Sequence, residues 1–200
     1  MKITVLTAGL SEPSSTRLLA DRLGDAVSRA LQGRGASAEV TTVEVRTLAH
    51  DVVDLLLTRV ATPALAAAQR AVEEADALIV VTPTFSMSYS GLFKSFVDTL
   101  EEGALAGTLV LLAATGGTAR HSMVLDTALR PLFSYLKALT LPTAVYAAAE
   151  DWGSSGLDAR ITRAGSELAD LMIAVPSRRR QDPFDADSDG FVSFDQLLGR

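Results

Sequence analysis

Between Thr7 and Arg17 the chain reads Thr-Ala-Gly-Leu-Ser-Glu-Pro-Ser-Ser-Thr-Arg, which sets the hydroxyls of Ser11, Ser14, Ser15 and Thr16 beside one guanidinium, just after Gly9. Ahead of this turn, Ile3-Thr4-Val5-Leu6 is a β-branched, apolar run that predicts a strand buried on both faces. Behind it, Leu18, Leu19, Leu23, Val27 and Leu31 recur at helical spacing. A helix start leaves backbone N–H groups unpaired and carries a partial positive charge, so hydroxyls and an arginine gathered there suit a phosphate dianion. The turn lacks the Lys before Ser/Thr of a Walker loop and the three spaced glycines of a dinucleotide fingerprint, which favours one phosphomonoester over ATP or a Rossmann-type NAD site. An ordinary helix cap by Ser14 or Ser15, with Pro13 ahead of it, accounts for the same residues.

Two further stretches carry usable chemistry. Thr82 to Gly91 reads as a long loop in which Pro83 and Phe85 offer a rigid turn and an aromatic face, and Ser86, Ser88 and Ser90 offer hydroxyls. A flat heteroaromatic can lie against such a loop. Thr115-Gly116-Gly117 lets backbone approach a ligand and presents N–H groups with no side chain in the way. Singly, the three stretches are a cap, a surface loop and a turn. Together they describe a flavin mononucleotide (FMN) site, with phosphate on the first and a flat ring between the other two.

The elements that must position them follow from pattern. Val40, Val43 and Val45 alternate with polar residues as a second strand over 38–45, Thr62-Pro63 caps and opens a helix through Glu74, and Ala77 to Val81 is an all-apolar central strand. Leu48 to Val60 is apolar and open to more than one assignment. Leu92 to Leu100 predicts a helix, Leu109 to Ala113 a buried strand, Ser122 to Leu139 a helix kinked at Pro131, Thr143 to Ala149 the last strand and Leu157 to Val175 the last helix. Five strands alternating with helices predict an α/β fold, a three-layer αβα sandwich around a parallel sheet. In such a sheet the loops after the first, third and fourth strands meet at the carboxyl edge, where ligands bind.

Composition narrows the rest. Two hundred residues suit one domain, 1–175, followed from Pro176 by an arm, 176–200, that opens on Arg178-Arg179-Arg180 and turns acidic. A net charge of −6 argues against nucleic acid, and the absence of cysteine excludes disulfides, thiolate metal sites and a cysteine nucleophile. No stretch has the length and apolarity of a membrane span, and no secretory leader precedes the first strand, so a cytoplasmic protein is expected. Asp185 to Gln196 resembles the start of an EF-hand loop, but neutral Gln196 stands where calcium wants a bidentate Glu, and docking of the arm through Phe191, Phe194 and Leu197 is preferred.

Three segments also carry a family resemblance: Gly9 to Arg17, Pro83 to Lys94 and Thr115 to His121. The middle one is the most specific, with its Pro-x-aromatic-x-x-Ser-x-x-Gly-x-x-Lys pattern. The chain resembles the NADPH-dependent FMN reductases, flavodoxin-like proteins with sheet order 2-1-3-4-5, in particular small reductases that supply reduced flavin to two-component monooxygenases. The resemblance implies FMN phosphate at Ser11, Ser15, Thr16 and Arg17, the ring between Pro83, Thr84, Phe85, Ser86 and Thr115, Gly116, Gly117, NADPH or NADH as hydride donor, and a homodimer or tetramer. Phe85 stands where many members have Tyr, and Thr127 where some have a tyrosine marking a π-bulge. Hydride transfer between stacked rings needs no protein acid or base, in keeping with only two histidines. Arg120 and His121 stand where they could meet the NADPH phosphates, and Asp151 and Trp152 where they could border the nicotinamide. A flavodoxin-type electron carrier and a quinone or azo reductase are the alternatives on the same fold.

Overall fold

A computed structural model describes residues 1–175 and Gln196. The arm and the Asp185 to Gln196 motif otherwise lie outside the described residues.

β1 (Lys2–Thr7), β2 (Glu39–Glu44), β3 (Ala77–Phe85) and β5 (Leu109–Gly116) pair in parallel in the order β2-β1-β3-β5. The runs expected to be central are so: Ala77 to Val81 are all 0% exposed. The sheet has seven strands rather than the five expected. β6 (Leu139–Thr140) and β7 (Val145–Ala148) both lie parallel to β5 and together take the place of the single last strand. Pro142 lies between them, and a proline has no N–H to give a ladder. The seventh, β4 (Ser88–Tyr89), pairs antiparallel with the end of β3, so the expected long loop is instead a tight hairpin turning at Ser86 and Met87, with φ of 48° and 65°.

Helices cover both faces. α1 (Ser15–Gln32) and α6 (Ser155–Ala174) bury Leu19, Leu23, Val27, Leu157, Ile161 and Leu168 against one face. On the other lie α2 (Ala49–Thr58), which resolves the ambiguous stretch, α3 (Pro63–Glu73), α4 (Gly91–Val97) and α5 (Arg130–Tyr135), around Phe93, Phe96 and Phe133. Thr62 caps α3 as expected, accepting from Leu65 N–H at 3.2 Å. The helix expected over 122–139 is broken differently: a 3₁₀ turn at Ala119–His121, a π turn at Leu125–Leu129, then α5. Arg130 N–H reaches back to the Leu125 carbonyl, and this wide turn makes room for the ring of Pro131, which would collide with the carbonyl four residues before it in a regular helix. Among the described residues no helix is long and apolar enough to cross a membrane.

Candidate active site

The carboxyl ends of β1, β3 and β5 converge on one cleft of about 560 Å³. Leu10, Ser11, Ser15 and Thr16 form its first wall, Pro83, Thr84 and Phe85 the second, Thr115, Gly116 and Gly117 the third, and Ala149 and Trp152 close it beyond β7. None of these residues carries a charge.

Local structure explains the first wall. Ser14 is the cap of α1: its Oγ accepts from Arg17 N–H at 3.1 Å. The first bond of the helical ladder runs from Leu18 N–H to the Ser14 carbonyl at 3.0 Å, which leaves the N–H groups of Ser15 and Thr16 outside the ladder, at the positive end of the helix. With capping assigned to Ser14, the hydroxyls of Ser11 and Ser15 line the cleft. Thr16 Oγ1 lies 2.8 Å from Thr115 Oγ1, a buried hydrogen bond that ties the first wall to the third.

The second and third walls are built for close approach. Thr84 Oγ1 is buried without a hydrogen-bond partner among the described residues. A Cβ on Gly116 would run into the hydroxyl of Tyr146, so glycine is required there by packing from beneath. On Gly117 a Cβ would meet nothing within 4 Å, leaving its backbone open to a ligand. Free helix-start N–H groups, the hydroxyls of Ser11 and Ser15 and an open glycine backbone fit a phosphate joined to a flat polar ring. The volume lies in the range of ordinary small-molecule sites, roughly 300–1,000 Å³.

The model of the NADPH-dependent FMN reductase family matches residues 1–153. The chain belongs to that family. It is 38% identical over 175 residues to the FMN reductase (NADPH) of Pseudomonas aeruginosa, covering 85% of this chain and 91% of that protein. It is 40% identical over 177 residues to the NADH-dependent FMN reductase SfnF of Pseudomonas fluorescens, covering 86% and 91%. Among solved structures, an oxidoreductase from Corynebacterium diphtheriae shares 46% identity with a TM-score of 0.84, over 87% of this chain and 97% of that one. The apo form of the NADH:FMN oxidoreductase EMOB matches with a TM-score of 0.77 at 26% identity, over 88% and 91%.

Three residues that the sequence marked for the flavin lie outside the cleft lining of this reductase. Gly9 lies behind it, where a side chain would strike Ser14 Oγ. The guanidinium of Arg17 is occupied by carboxylates: Nε donates to Asp21 at 2.8 Å and Nη1 pairs with Glu44. The hydrogen bond to Asp21 raises the Arg17 pKa, burial opposes the rise, and the charges of Asp21 and Glu44 add to it. Ser86 sits exposed at the hairpin tip. Arg120 and His121 occupy the 3₁₀ turn after the third wall and do not line the cleft. Thr127 lies within the π turn, its Oγ1 donating to the Met123 carbonyl at 2.8 Å, so this turn forms here without a tyrosine.

Leu10, Ala149 and Tyr146 were not marked by sequence reasoning. Leu10 and Ala149 are apolar and carry no chemical signature. Tyr146 could have been found from its phenol in an otherwise apolar strand at the sheet edge. Asp151, next to Trp152, braces that edge: its Oδ2 accepts from Ala148 N–H at 2.9 Å and pairs with Arg160 at 3.0 Å. The bond from Ala148 N–H holds the Asp151 carboxyl below the usual range, burial opposes this, and Arg160 reinforces it. Burial pushes the Tyr146 phenol up, and the charges of Glu150 and Asp151 add to that. The neighbouring Thr84 hydroxyl acts in the other direction.

Proposed function

We propose that this cleft is where the reductase holds FMN for NAD(P)H-dependent reduction, with the phosphate on Ser11, Ser15 and Thr16 at the start of α1 and the ring between Pro83, Thr84 and Phe85 on one side and Thr115, Gly116 and Gly117 on the other. Bound there, FMN supplies a two-electron acceptor for the hydride of NADPH or NADH. The chain's own part is geometry and dipoles. Ser15 and Thr16 offer N–H groups and Ser11 and Ser15 offer hydroxyls to the phosphate, and the helix dipole supplies positive potential without a charged side chain. Gly116 and Gly117 offer backbone N–H groups where negative charge develops on reduction. Arg17 adds its charge from outside the lining, already shared with Asp21 and Glu44. Phe85, 46% exposed in the second wall, would shield one side of the ring from water.

The observation that carries this reading is the meeting of three distant segments in one uncharged cleft, with helix-start N–H groups and hydroxyls on one wall and an open glycine backbone on another. The reading extends to the whole unit. A homodimer or tetramer would cover apolar side chains left exposed on α2, Val53 and Leu57, and the reduced flavin would pass to a partner monooxygenase. The cytoplasm, where reduced nicotinamides are held, is the compartment it requires.

Anaerobic addition of NADPH or NADH to protein carrying one equivalent of FMN tests the reading. Bleaching of the flavin band at a rate far above that of free FMN is expected. An unchanged band with both nicotinamides would refute it, and a band bleached only by a reduced protein partner would point to an electron carrier.

A further inference from the structure

Tyr146 lies outside the cleft lining, yet it holds the third wall from below. It sits on β7, 7% exposed, in the core on the α3 to α5 side of the sheet. Its O–H donates to the Thr118 carbonyl at 3.1 Å. On the way the phenol fills the space under Gly116, with Cζ 3.1 Å from where a Cβ would stand. The Tyr146 carbonyl accepts from Arg160 at 3.3 Å, and Arg160 pairs with Asp151 at 3.0 Å. The end of β7 and the glycine turn are therefore one hydrogen-bonded unit, and the face it turns to the cleft is Gly116, Gly117, Ala149 and Trp152.

Gly116 ends β5 opposite Ala148 of β7, and Gly117 beyond it has a glycine's backbone freedom and does not hold its orientation by itself. We infer that Tyr146 is a positioning residue for the flavin: by fixing the Thr118 carbonyl and filling the space under Gly116, its phenol sets the backbone of Gly116 and Gly117 in the orientation that receives the ring. The inference rests on the FMN reading above. Without the hydroxyl, the Thr118 carbonyl loses its partner and the turn must be ordered at the moment of binding, a cost that appears in affinity.

The test measures FMN affinity by fluorescence quenching, the absorption band of the bound flavin, and thermal unfolding, on the full chain and on Tyr146→Phe, Gly116→Ala and the double variant. Tyr146→Phe is expected to fold, to bind FMN about tenfold more weakly and to shift the band. Gly116→Ala is expected to lose more, because its methyl meets the hydroxyl. The double variant should recover part of that loss, since the methyl enters the space the hydroxyl leaves. Wild-type affinity and an unshifted band in Tyr146→Phe, or strictly additive losses in the double variant, would overturn the inference while leaving the FMN reading intact. Wild-type protein that fails to quench FMN would sink the FMN reading and this inference with it.

Discussion

The two edges of the sheet carry hollows of opposite character. At the amino edge a hollow of about 270 Å³ lies among Lys2, Thr4, Glu39, Arg70 and Glu74. Two of its groups are already paired: Lys2 with Glu74 at 3.0 Å, and the Thr4 hydroxyl, which donates to the Ala71 carbonyl at 2.5 Å. At the carboxyl edge the cleft has no charged lining residue. Among the described residues the two buried side-chain hydroxyls without a partner, Thr7 and Thr84, both stand at that edge, at the ends of β1 and β3. Of these two residues, Thr84 belongs to the cleft lining. The two hollows thus differ in size and lining: the smaller is lined by charged groups, and the larger, at the carboxyl edge, by hydroxyls, backbone and apolar side chains, the mix a small polar ligand needs.

The sharpest way to break this contrast is Ser15→Asp. A carboxylate at the first position of α1 favours the helix, because it meets the positive end of the dipole, but it repels a phosphate at the same place. FMN affinity should fall by about a hundredfold or more while the unfolding temperature holds or rises. Riboflavin, which lacks the phosphate, should lose far less. Equal losses for both flavins would mean that the phosphate is not at this helix start.

Arg17→Ala comes next. Its guanidinium is committed to Asp21 and Glu44, and its removal also leaves those carboxylates unbalanced near the turn. A loss of FMN affinity of only a few-fold is expected by calorimetric titration, fading at high salt. A loss as large as that of Ser15→Asp would mean that the side chain leaves its partners to grip the ligand.

How far these features were legible in the sequence depends on what kind of physics sets them. The buried strands were, because Ile3 to Leu6, Ala77 to Val81 and Leu109 to Ala113 are apolar runs whose burial on both faces leaves few alternatives. The three walls were legible too, because parallel topology forces strand ends onto one edge. The direction of Arg17 was not, since its partner Glu44 lies 27 positions away on a strand whose register only the fold determines. The hairpin at Ser86 and Met87 was hidden because its left-handed turn uses neither Gly nor Asn. The π turn depends on how one proline is accommodated, and Tyr146 acts through a residue 30 positions earlier.

A smaller effect distinguishes the brace of the carboxyl edge. The Asp151 carboxyl is held below its ordinary pKa, chiefly by the Ala148 N–H. The stability it contributes is therefore present above the unfolded carboxylate pKa, about 4, and is lost as pH falls through the lower folded value. Urea midpoints followed from neutral to acid pH should decline in that window, and Asp151→Asn should flatten that part of the decline. At the amino edge Lys2→Ala should change least of all: no shift in FMN affinity and an unfolding midpoint within error, because its pair with Glu74 is exposed.

The central claim is that the carboxyl-edge cleft receives FMN. The most direct measurement is a crystal structure of the protein grown with FMN. Phosphate oxygens are expected within hydrogen-bond distance of the Ser15 and Thr16 N–H groups, and the ring between Phe85 and Gly117. Flavin density in the hollow beside Lys2 and Glu74, with the carboxyl-edge cleft holding only water, would contradict that claim.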